Sequence, residues 1–381
     1  MKKKVLSIIG TRPEAVKMAP VIQAMQSKPE FETSICVTAQ HRHMLDQVLS
    51  VFNIQPDFDL NLMIPNQTIT EISSAIFTHL DPLIKKLQPD WILVQGDTTT
   101  VMISAILAFY NQILIGHVEA GLRTYNKYQP FPEEMNRKIT SAIADLHFAP
   151  TPTSKNNLIK EGIPEKRILV TGNPVIDAIQ SIAKQAPSEE VFNLERKLGI
   201  ANIERTHDNR PLLILITAHR RENFGRPLVN ICNAIRNLSK HYSQDVRFLF
   251  PVHPNPNVTE TVHPLLSDLE NVYLVPPLDY LTFVHMLKRS YLVLTDSGGL
   301  QEEAPGFGVP VLVLRNLTER PEGIKAGTVR LVGTDCEEIV KQTSELLDNL
   351  SSYTSMANAV NPYGDGQAAE RIVQAIIEYL N

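Results

Sequence analysis

One stretch decides the fold of this chain: Val293-Leu294-Thr295-Asp296-Ser297-Gly298-Gly299-Leu300-Gln301-Glu302-Glu303-Ala304. Residues 291–294 predict a buried strand, and the polar turn after them predicts the start of a helix. Because Gly298 and Gly299 carry no Cβ, a ligand can approach the backbone closely. The N–H groups at a helix start favour an anion, most often phosphate. The alternative is a capped helix with a solvated acidic face.

Two carboxylates, Glu302 and Glu303, follow the glycine turn. A phosphate site alone does not require them. In dinucleotide sites an acidic residue binds a ribose hydroxyl, so one of the two is a candidate for that contact.

Composition places the chain among soluble globular proteins. Its 381 residues predict two or three domains, and 43% apolar and 20% charged residues allow sizeable cores. No apolar window is long enough for a membrane span, and residues 5–9 are too short for the core of a signal peptide. We therefore expect no membrane association.

Charge and cysteine content further restrict the class of protein. The three cysteines, Cys36, Cys232 and Cys336, are far apart and odd in number. They predict neither a metal site nor a disulfide framework, and they indicate a reducing cytoplasm. A net charge of −5 without a long basic block argues against a nucleic-acid partner.

Strand and helix patterns alternate along the whole chain. Alternation predicts parallel sheets, and continuous apolar strands predict sheets that are covered on both faces. The pattern breaks at Gly172-Asn173-Pro174. The sequence therefore predicts two doubly wound α/β domains that join near residues 172–176.

Ligands of open α/β sheets bind beyond the carboxyl ends of the strands. The first half places there Arg12, Gln40, Asp97 and Glu119, with Glu133 and Glu134 in a nearby loop. The second half places there His219, Arg220, His253, Ser297, Glu303, Arg315 and Arg320. This division predicts that a ligand's phosphates bind the second domain while its reacting part meets carboxylates of the first. Clustered carboxylates raise one another's pKa, which suits acid/base chemistry.

Each candidate also has a structural interpretation. Asp97 can cap the helix that follows it, and Glu133 can be a first-turn residue that complements the helix dipole. His219 can be a core histidine. Glu119 follows a buried strand, where a carboxylate needs a partner, and Arg123 is a candidate for it. For Arg12 and Lys17 the alternative is surface charge.

The absence of several motifs excludes other chemistries. No G-x-x-x-x-G-K-[ST] is present, no G-x-G-x-x-G follows the first strand, and neither H-E-x-x-H nor C-x-x-C occurs. A nicotinamide cofactor and a metal are therefore not indicated, and we expect no cofactor.

Taken in order, eight segments resemble the non-hydrolysing UDP-N-acetylglucosamine 2-epimerases of bacteria. They are Gly10-Thr11-Arg12-Pro13-Glu14-Ala15, Val37-Thr38-Ala39-Gln40-His41-Arg42, Gly96-Asp97-Thr98-Thr99-Thr100, Gly116-His117-Val118-Glu119-Ala120-Gly121-Leu122-Arg123, His219-Arg220-Arg221-Glu222, Asp296-Ser297-Gly298-Gly299, Thr318-Glu319-Arg320-Pro321-Glu322 and Asn361-Pro362-Tyr363-Gly364-Asp365-Gly366.

The resemblance implies a GT-B-like fold, in which two Rossmann-like domains face each other across a cleft. Residues 1–174, completed by the C-terminal helix 364–381, would carry the acid/base carboxylates. Residues 175–363 would bind UDP. The resemblance further implies a cytoplasmic homodimer that reversibly converts UDP-GlcNAc to UDP-ManNAc, supplying ManNAc units for surface polysaccharides. Elimination of UDP to 2-acetamidoglucal and re-addition would invert C2.

By motif position, Asp97, Glu119 and Glu133 resemble the acid/base carboxylates, and His219 resembles the residue that stabilises or protonates the leaving UDP. The nucleotide-binding set would be Arg12, Lys17, Leu278, Phe283, Ser297, Gly298, Gly299, Glu303 and Arg320. Glu303 would bind the ribose, and Phe283 and Leu278 would border the uracil.

The candidate activator site, Gln40, His43 and His253, departs from the family pattern. His43 and Asn66 stand where family members that use UDP-GlcNAc as an activator have Gln and Arg. This leaves activator binding open and the catalytic set intact.

Three rival interpretations remain at this point. They are a hydrolysing 2-epimerase that releases ManNAc and UDP, a GT-B glycosyltransferase, and a non-catalytic nucleotide-sugar sensor. The carboxylates of the first domain argue against the sensor, and the whole-chain motif set argues against the transferase.

Overall fold

The structure is a computed structural model that describes residues 2–38, 42–62, 64, 67–201, 203 and 205–379, with only the backbone at residues 42–44. Contacts divide the chain into two compact units, Met1–Ser181 with Tyr363–Asn381, and Ile182–Pro362. The boundaries predicted from the sequence were 174/175 and 363/364.

A seven-stranded parallel sheet forms the centre of the first unit, in the order β3-β2-β1-β4-β5-β6-β7. Its strands are β1 (Lys3–Ile9), β2 (Phe31–Val37), β3 (Phe58–Asp59), β4 (Trp91–Gln95), β5 (Leu114–Val118), β6 (Leu146–Ala149) and β7 (Ile168–Val170). The order reverses at β1, which pairs with β2 on one side and β4 on the other. The carboxyl ends of β1 and β4 therefore form the topological switch point, where such sheets bind ligands.

Helices follow these strands in the first unit. They are α1 (Arg12–Gln26), α2 (Arg42–Val51), α3 (Ile69–Leu87), α4 (Thr99–Tyr110), α5 (Glu133–Ile143), α6 (Pro152–Lys160) and α7 (Pro174–Ile182). At the start of α3, Thr68 and Glu71 form a capping box, as the Ser/Thr-x-x-Glu spacing predicts. All five residues of β4 are buried, which explains its continuous apolar run.

A six-stranded parallel sheet forms the centre of the second unit, in the order β10-β9-β8-β11-β12-β13. Its strands are β8 (Leu212–Thr217), β9 (Val246–Pro251), β10 (Val272–Val275), β11 (Leu292–Thr295), β12 (Val311–Val313) and β13 (Val329–Leu331). Its helices are α8 (Glu189–Leu198), α9 (Arg226–His241), α10 (Pro256–Leu266), α11 (Tyr280–Arg289), α12 (Gly298–Glu303), α13 (Pro321–Ala326), α14 (Cys336–Asp348) and α15 (Leu350–Ala357).

The central strand β11 is covered on both faces. Leu292 and Leu294 belong to one hydrophobic cluster, and Val293 belongs to another on the opposite face. Alternate residues of a strand point to opposite sides of the sheet. The apolar run before the glycine turn therefore fills two cores, as the opening stretch predicts.

Five of these elements were not predicted from the sequence: β3, α10, α13, β13 and α15. Helix α10 carries Pro256 at its first turn and Pro264 inside. Considered alone, these prolines indicate a loop. Helix α13 has six residues and β13 has three. Elements this short have too few residues to display a hydrophobic period.

The C-terminal helix α16 (Ala368–Tyr379) belongs to the first unit and packs against α1. Asp177 of α7 accepts hydrogen bonds from the N–H groups of Ala368 (3.2 Å) and Ala369 (2.9 Å). These are the N–H groups that a helix start leaves without intrahelical partners. Burial raises the pKa of Asp177 despite these bonds. Among the helices that the structure describes, none has the length and apolar character that crossing a bilayer requires.

Replacing Asp177 with Ala should release the start of α16. Loss of this cap is expected to lower the free energy of unfolding by about 1–2 kcal/mol. Hydrogen exchange at the amides of Ala368 and Ala369 should accelerate. Glu378→Ala, at an exposed position of the same helix, is the control. Equal effects of the two variants on unfolding and exchange would contradict the capping role.

Candidate active site

Glu119 is a buried carboxylate that three other elements hold in place. It follows β5 with φ at 62°, a left-handed conformation that is rare for a residue with a side chain. Lys17 Nζ of α1 donates to its two oxygens at 2.6 and 2.7 Å. Asn173 Nδ2 donates to Oε1 at 2.8 Å, and Gln95 Nε2 donates to Oε2. An ammonium and two amides therefore compensate the burial of this charge.

The predicted pairing of Arg123 with Glu119 is wrong. The Arg123 guanidinium instead binds Glu161 at 2.7 Å and donates to Ser141 Oγ at 3.0 Å. The chain between Glu119 and Arg123 turns at Gly121, where a Cβ would lie 2.3 Å from a backbone oxygen of α6. This turn carries Arg123 away from Glu119.

Asp97, directly after β4, binds α5 rather than its own helix. Its Oδ2 accepts from Arg137 Nε at 2.8 Å and Nη2 at 2.7 Å, and its backbone oxygen accepts from Asn136 Nδ2 at 2.9 Å. The residue that caps α4 is Thr98, whose Oγ1 accepts from the N–H of Val101. The interpretation of Asp97 as a helix cap is therefore wrong.

The turns that carry Asp97 and Glu119 adjoin. A Cβ added at Gly96 would lie 3.9 Å from Glu119 Oε2. His117 Nε2 donates to the Gly96 oxygen at 2.7 Å, and burial lowers the pKa of His117 to about 4. A neutral imidazole therefore fixes the turn before Asp97. The carboxyl ends of β4 and β5 thus place two of the three predicted acid/base residues on adjoining turns.

Helix α5 brings the third predicted carboxylate to the same edge of the sheet. Glu133 is its first residue, and Glu133 Oε2 is buried without a hydrogen-bond partner among the described residues. The next residue, Glu134, is fully buried and accepts from the backbone N–H groups of residues 124 and 125. Arg137 bridges Glu134 and Asp97. Glu133 therefore starts a helix that is fixed to the Asp97 turn.

Arg137, Asn136, Gln95 and Asn173 were not predicted as site residues. Asn136 and Arg137 lie three and four residues after Glu133, a spacing that places neighbours on one helix face. This spacing is the sequence feature from which Asn136 and Arg137 could have been predicted. Gln95 and Asn173 lie at strand ends, and only the tertiary structure shows that both contact Glu119.

Two predicted nucleotide-binding residues lie on the first turns of α1. Arg12 is its first residue, and Lys17, further along, is the partner of Glu119. Lys17 therefore has a structural role, and its contact with a nucleotide stays a prediction. Of the predicted activator residues, Gln40 and the side chain of His43 lie outside the described residues, as does Asn66.

In the second unit, Asp296 joins the two turns of the switch point. It is fully buried, and its Oδ2 accepts from the N–H groups of His219 (2.9 Å) and Arg220 (2.8 Å) and from Asn223 Nδ2 (3.0 Å). Its Oδ1 lies 3.9 Å from His219 Nδ1. The residue after β11 therefore fixes the turn after β8, a role that the sequence did not reveal.

His219 is held between a carboxylate and a second imidazole. Its ring stacks on that of His253, with centroids 5.4 Å apart and planes inclined by 23°. Burial lowers the pKa of His219, and the charge of Asp296 opposes this shift. The ring is therefore mainly neutral near pH 7 before a ligand binds. His253, predicted for the activator site, accepts from the N–H of Asn255 and lies beside His219.

The glycine turn presents open backbone at the start of α12. Neither Gly298 nor Gly299 has a left-handed φ, so backbone conformation does not require glycine here. A Cβ at Gly298 would lie 3.7 Å from Arg220 Nη2, and one at Gly299 would contact Glu303 Oε1 at 3.4 Å. Ser297 is the cap residue, although its side chain makes no capping bond. The glycines therefore keep the surface of the turn accessible.

Arg320 is attached to α12 through Glu302. The two side chains form a buried ion pair. Thr318 Oγ1 accepts from the N–H of Arg320 at 3.1 Å and donates to Gln301 Oε1 at 2.6 Å. Of the two carboxylates after the glycine turn, Glu302 is therefore the partner of Arg320. Glu303 remains the candidate for a ribose contact.

Leu278 and Phe283, the predicted uracil neighbours, are partly buried against the cluster that contains Val293. Phe283 lies in the first turn of α11, where its N–H donates to the Asp279 oxygen at 2.9 Å. Both side chains therefore belong to the second unit, on the face of β11 that contains Val293. Their contact with a base stays a prediction.

Two α/β units with wholly parallel sheets and polar turns at both switch points define a GT-B-like protein. A family model described as UDP-N-acetylglucosamine 2-epimerase matches residues 23–377. The chain belongs to this family, which confirms the resemblance of the eight segments and the predicted fold class.

Individual relatives agree over nearly the full length. The UDP-N-acetylglucosamine 2-epimerase of Escherichia coli K12 is 49% identical over 373 residues, which is 98% of each chain. That of Bacillus subtilis 168 is 49% identical over 378 residues, covering 99% of this chain and 96% of the relative. The crystal structure of the Neisseria meningitidis UDP-GlcNAc 2-epimerase bound to UDP-GlcNAc is 47% identical, with a TM-score of 0.87 and coverage of 98% and 100%.

Lys17→Met should destabilise the first unit because it leaves the Glu119 charge buried without its ammonium. The expected loss in the free energy of unfolding at pH 7 is about 3 kcal/mol. Lys85→Met is the matched control, since Lys85 makes a 2.7 Å pair with Asp81 on an exposed surface. That change should cost less than about 0.5 kcal/mol. Similar losses from urea titration of the two variants would contradict the proposed importance of burial.

The titration of His219 should respond to a bound diphosphate. In the free protein its pKa lies below 6.5. An anion at the glycine turn favours the charged imidazolium, so UDP should raise the His219 pKa. NMR titration of the imidazole resonances with and without UDP measures this shift. His263 in α10 serves as the internal reference. An unchanged His219 titration in the saturated complex would place the diphosphate elsewhere.

Proposed function

We propose that this protein is a non-hydrolysing UDP-GlcNAc 2-epimerase, which interconverts UDP-GlcNAc and UDP-ManNAc reversibly. The observation that carries this proposal is the adjoining pair Asp97 and Glu119, whose turns meet at the carboxyl ends of β4 and β5. A sensor or a simple nucleotide site has no need of two fixed carboxylates there. Family membership supports the same substrate class.

The proposed chemistry begins at C1 of the sugar. The C2 hydrogen is not next to a carbonyl group, so direct proton abstraction is too difficult. Expulsion of UDP first builds oxocarbenium character at C1, as in glycoside cleavage. This charge acidifies the C2 hydrogen, which a carboxylate then removes. The C1–O bond breaks and a C1–C2 double bond forms, giving 2-acetamidoglucal and UDP. Protonation of C2 on the opposite face and re-addition of UDP complete the inversion.

We assign proton transfer to Asp97, Glu119 and Glu133. Their anchoring favours this assignment, because a general base works best when its geometry is fixed before the reaction. Arg137 holds Asp97, while Lys17 holds Glu119. Glu133 differs in having a buried carboxylate oxygen without a protein partner among the described residues, so a ligand can use it as an acceptor.

We assign the nucleotide to the second unit. The open turn at Ser297, Gly298 and Gly299 is suited to the diphosphate, with Arg320 nearby through its attachment to α12. Glu303 is assigned to the ribose. His219 begins neutral and gains a proton as phosphate charge approaches, so it can stabilise or protonate the departing UDP.

The proposed reaction also has consequences for the cofactor requirement, and we extend the proposal to assembly and location. Elimination and re-addition involve no net oxidation, so the chemistry requires no nicotinamide cofactor. We propose a cytoplasmic homodimer whose product, UDP-ManNAc, supplies ManNAc units for surface polysaccharides.

Reaction in D2O tests the function directly. UDP-GlcNAc should yield UDP-ManNAc with deuterium at C2, because the proton added to the glucal comes from solvent. NMR and mass spectrometry of the products measure this incorporation. Free ManNAc as the main product would assign the protein to the hydrolysing branch, and absence of any reaction without an acceptor would favour a glycosyltransferase.

Asp97→Asn should remove a proton-transfer group and leave UDP affinity within about twofold of the wild-type value. Loss of a general acid/base group typically lowers kcat by about 10²–10⁴-fold. Asp90→Asn is the matched control, since Asp90 accepts from the Lys4 N–H at the amino end of the same sheet. An Asp97→Asn enzyme that exchanges C2 hydrogen at the wild-type rate would refute the assignment.

A further inference from the structure

A further buried carboxyl group, Glu14, lies beneath the Asp97 turn and has no role in the chemistry described above. Its Oε2 accepts from the Gly10 N–H at 2.6 Å, and its Oε1 accepts from Thr11 Oγ1 at 3.1 Å. The Thr98 side chain lies near enough to Glu14 to favour its ionised form. Gly10 and Thr11 follow β1, whereas Thr98 follows β4. Glu14 therefore connects the two turns of the switch point.

Close packing of the same two turns supports this connection. A Cβ on Gly10 would lie 2.6 Å from Thr100 Oγ1 at the start of α4 and 3.1 Å from Thr38 Oγ1. Glycine is therefore required here by the close approach, not by its backbone angle. The turn after β1 packs directly against the helix that Thr98 caps. A shift of Glu14 should therefore be transmitted to the start of that helix.

We propose that Glu14 is a positioning residue that fixes Asp97 for proton transfer through the packed turns after β1 and β4 and its contact with Thr98. The inference rests on the proposed epimerase function. On one side, Arg137 and Asn136 of α5 hold Asp97 itself. On the other side, Glu14 holds the next residue in the chain. Asp97 is therefore held directly by α5 and indirectly through the next residue, Thr98.

The charge state of Glu14 matters because its neighbours are donors. The ionised carboxyl group can accept from the Gly10 N–H and from the hydroxyl groups of Thr11 and Thr98 together, because an ionised carboxylate only accepts hydrogen bonds. Burial opposes ionisation and raises the pKa of Glu14 to about 7, with these bonds lowering it and the charge of Asp97 raising it slightly. Protonation of Glu14 replaces one acceptor site with an O–H donor, so a neighbouring hydroxyl group must reverse its hydrogen bond. The Asp97 turn should therefore loosen as pH falls through 7.

Two substitutions test the connection without removing packing volume. Glu14→Gln keeps the shape and removes the charge, and Thr98→Val removes the hydroxyl at constant volume. Thr98→Ser retains the hydroxyl and serves as the rescue variant. Asp145→Asn is the matched control, because Asp145 accepts from the Ile115 N–H at the amino end of the sheet. The measurements are kcat across pH 5.5–8.5, C2 exchange in D2O and UDP affinity.

The ratio of wild-type to Glu14→Gln kcat should rise from near one at pH 5.5 to about tenfold at pH 8.5, as Glu14 ionises. UDP affinity should stay within about twofold. Thr98→Val should lower kcat similarly, and the double variant should resemble either single variant, since linked groups are not additive. Thr98→Ser and Asp145→Asn should retain wild-type kcat.

Three results would overturn the inference: a ratio that does not change with pH, a double variant whose losses multiply, or wild-type kcat in Thr98→Val. Thr98 also caps α4, and loss of that cap should lower kcat equally at every pH. If Glu14→Gln fails to fold, the deciding result is therefore whether the ratio of wild-type to Thr98→Val kcat rises with pH: a rise supports the role of Glu14, and a constant ratio overturns it. A wild-type enzyme without C2 exchange would refute the proposed function itself. A wild-type enzyme that exchanges, together with unaffected variants, would refute only the role of Glu14.

Discussion

Removing a carboxylate from water is the constraint on which the first unit depends. Glu119 is 7% exposed, and its charge is compensated by Lys17 from α1, Gln95 from β4 and Asn173 from the start of α7. Each partner comes from a different element, so these elements must meet at one point for the charge to be tolerated. The requirement fixes the edge of the sheet at which Asp97 also lies. Stability and chemistry therefore use the same contacts.

In the second unit a different buried carboxylate has the same organising role. Asp296 is fully buried at the end of β11 and receives the N–H groups of His219 and Arg220 from the turn after β8. At both switch points a buried acid fixes a neighbouring turn that carries a proposed functional side chain. Such an arrangement organises the site before substrate arrives, which reduces the reorganisation that catalysis requires. The glycine turn is then left to present open backbone.

Sequence periodicity was sufficient for the fold because buried parallel strands have continuous apolar runs, such as residues 91–94 and 291–294. It was also sufficient to locate the polar turns that follow them. Periodicity could not identify which side chains form ion pairs or hydrogen bonds with one another. Arg123 is near Glu119 in the chain and binds Glu161, while Lys17 lies 102 residues away and binds Glu119. Likewise, adjacent Glu302 and Glu303 look equivalent until the structure pairs Glu302 with Arg320. Partner choice depends on tertiary packing, which local spacing does not encode.

The central claim is that the bond between C1 and the UDP oxygen breaks before C2 is inverted. The most direct measurement uses UDP-GlcNAc that carries ¹⁸O in the bridge between C1 and the β-phosphorus. If UDP departs, its β-phosphate can rotate before re-addition. We therefore expect ³¹P NMR of the recovered nucleotide sugar to show ¹⁸O in non-bridging positions as UDP-ManNAc accumulates. Retention of all ¹⁸O in the bridge during epimerisation would contradict it.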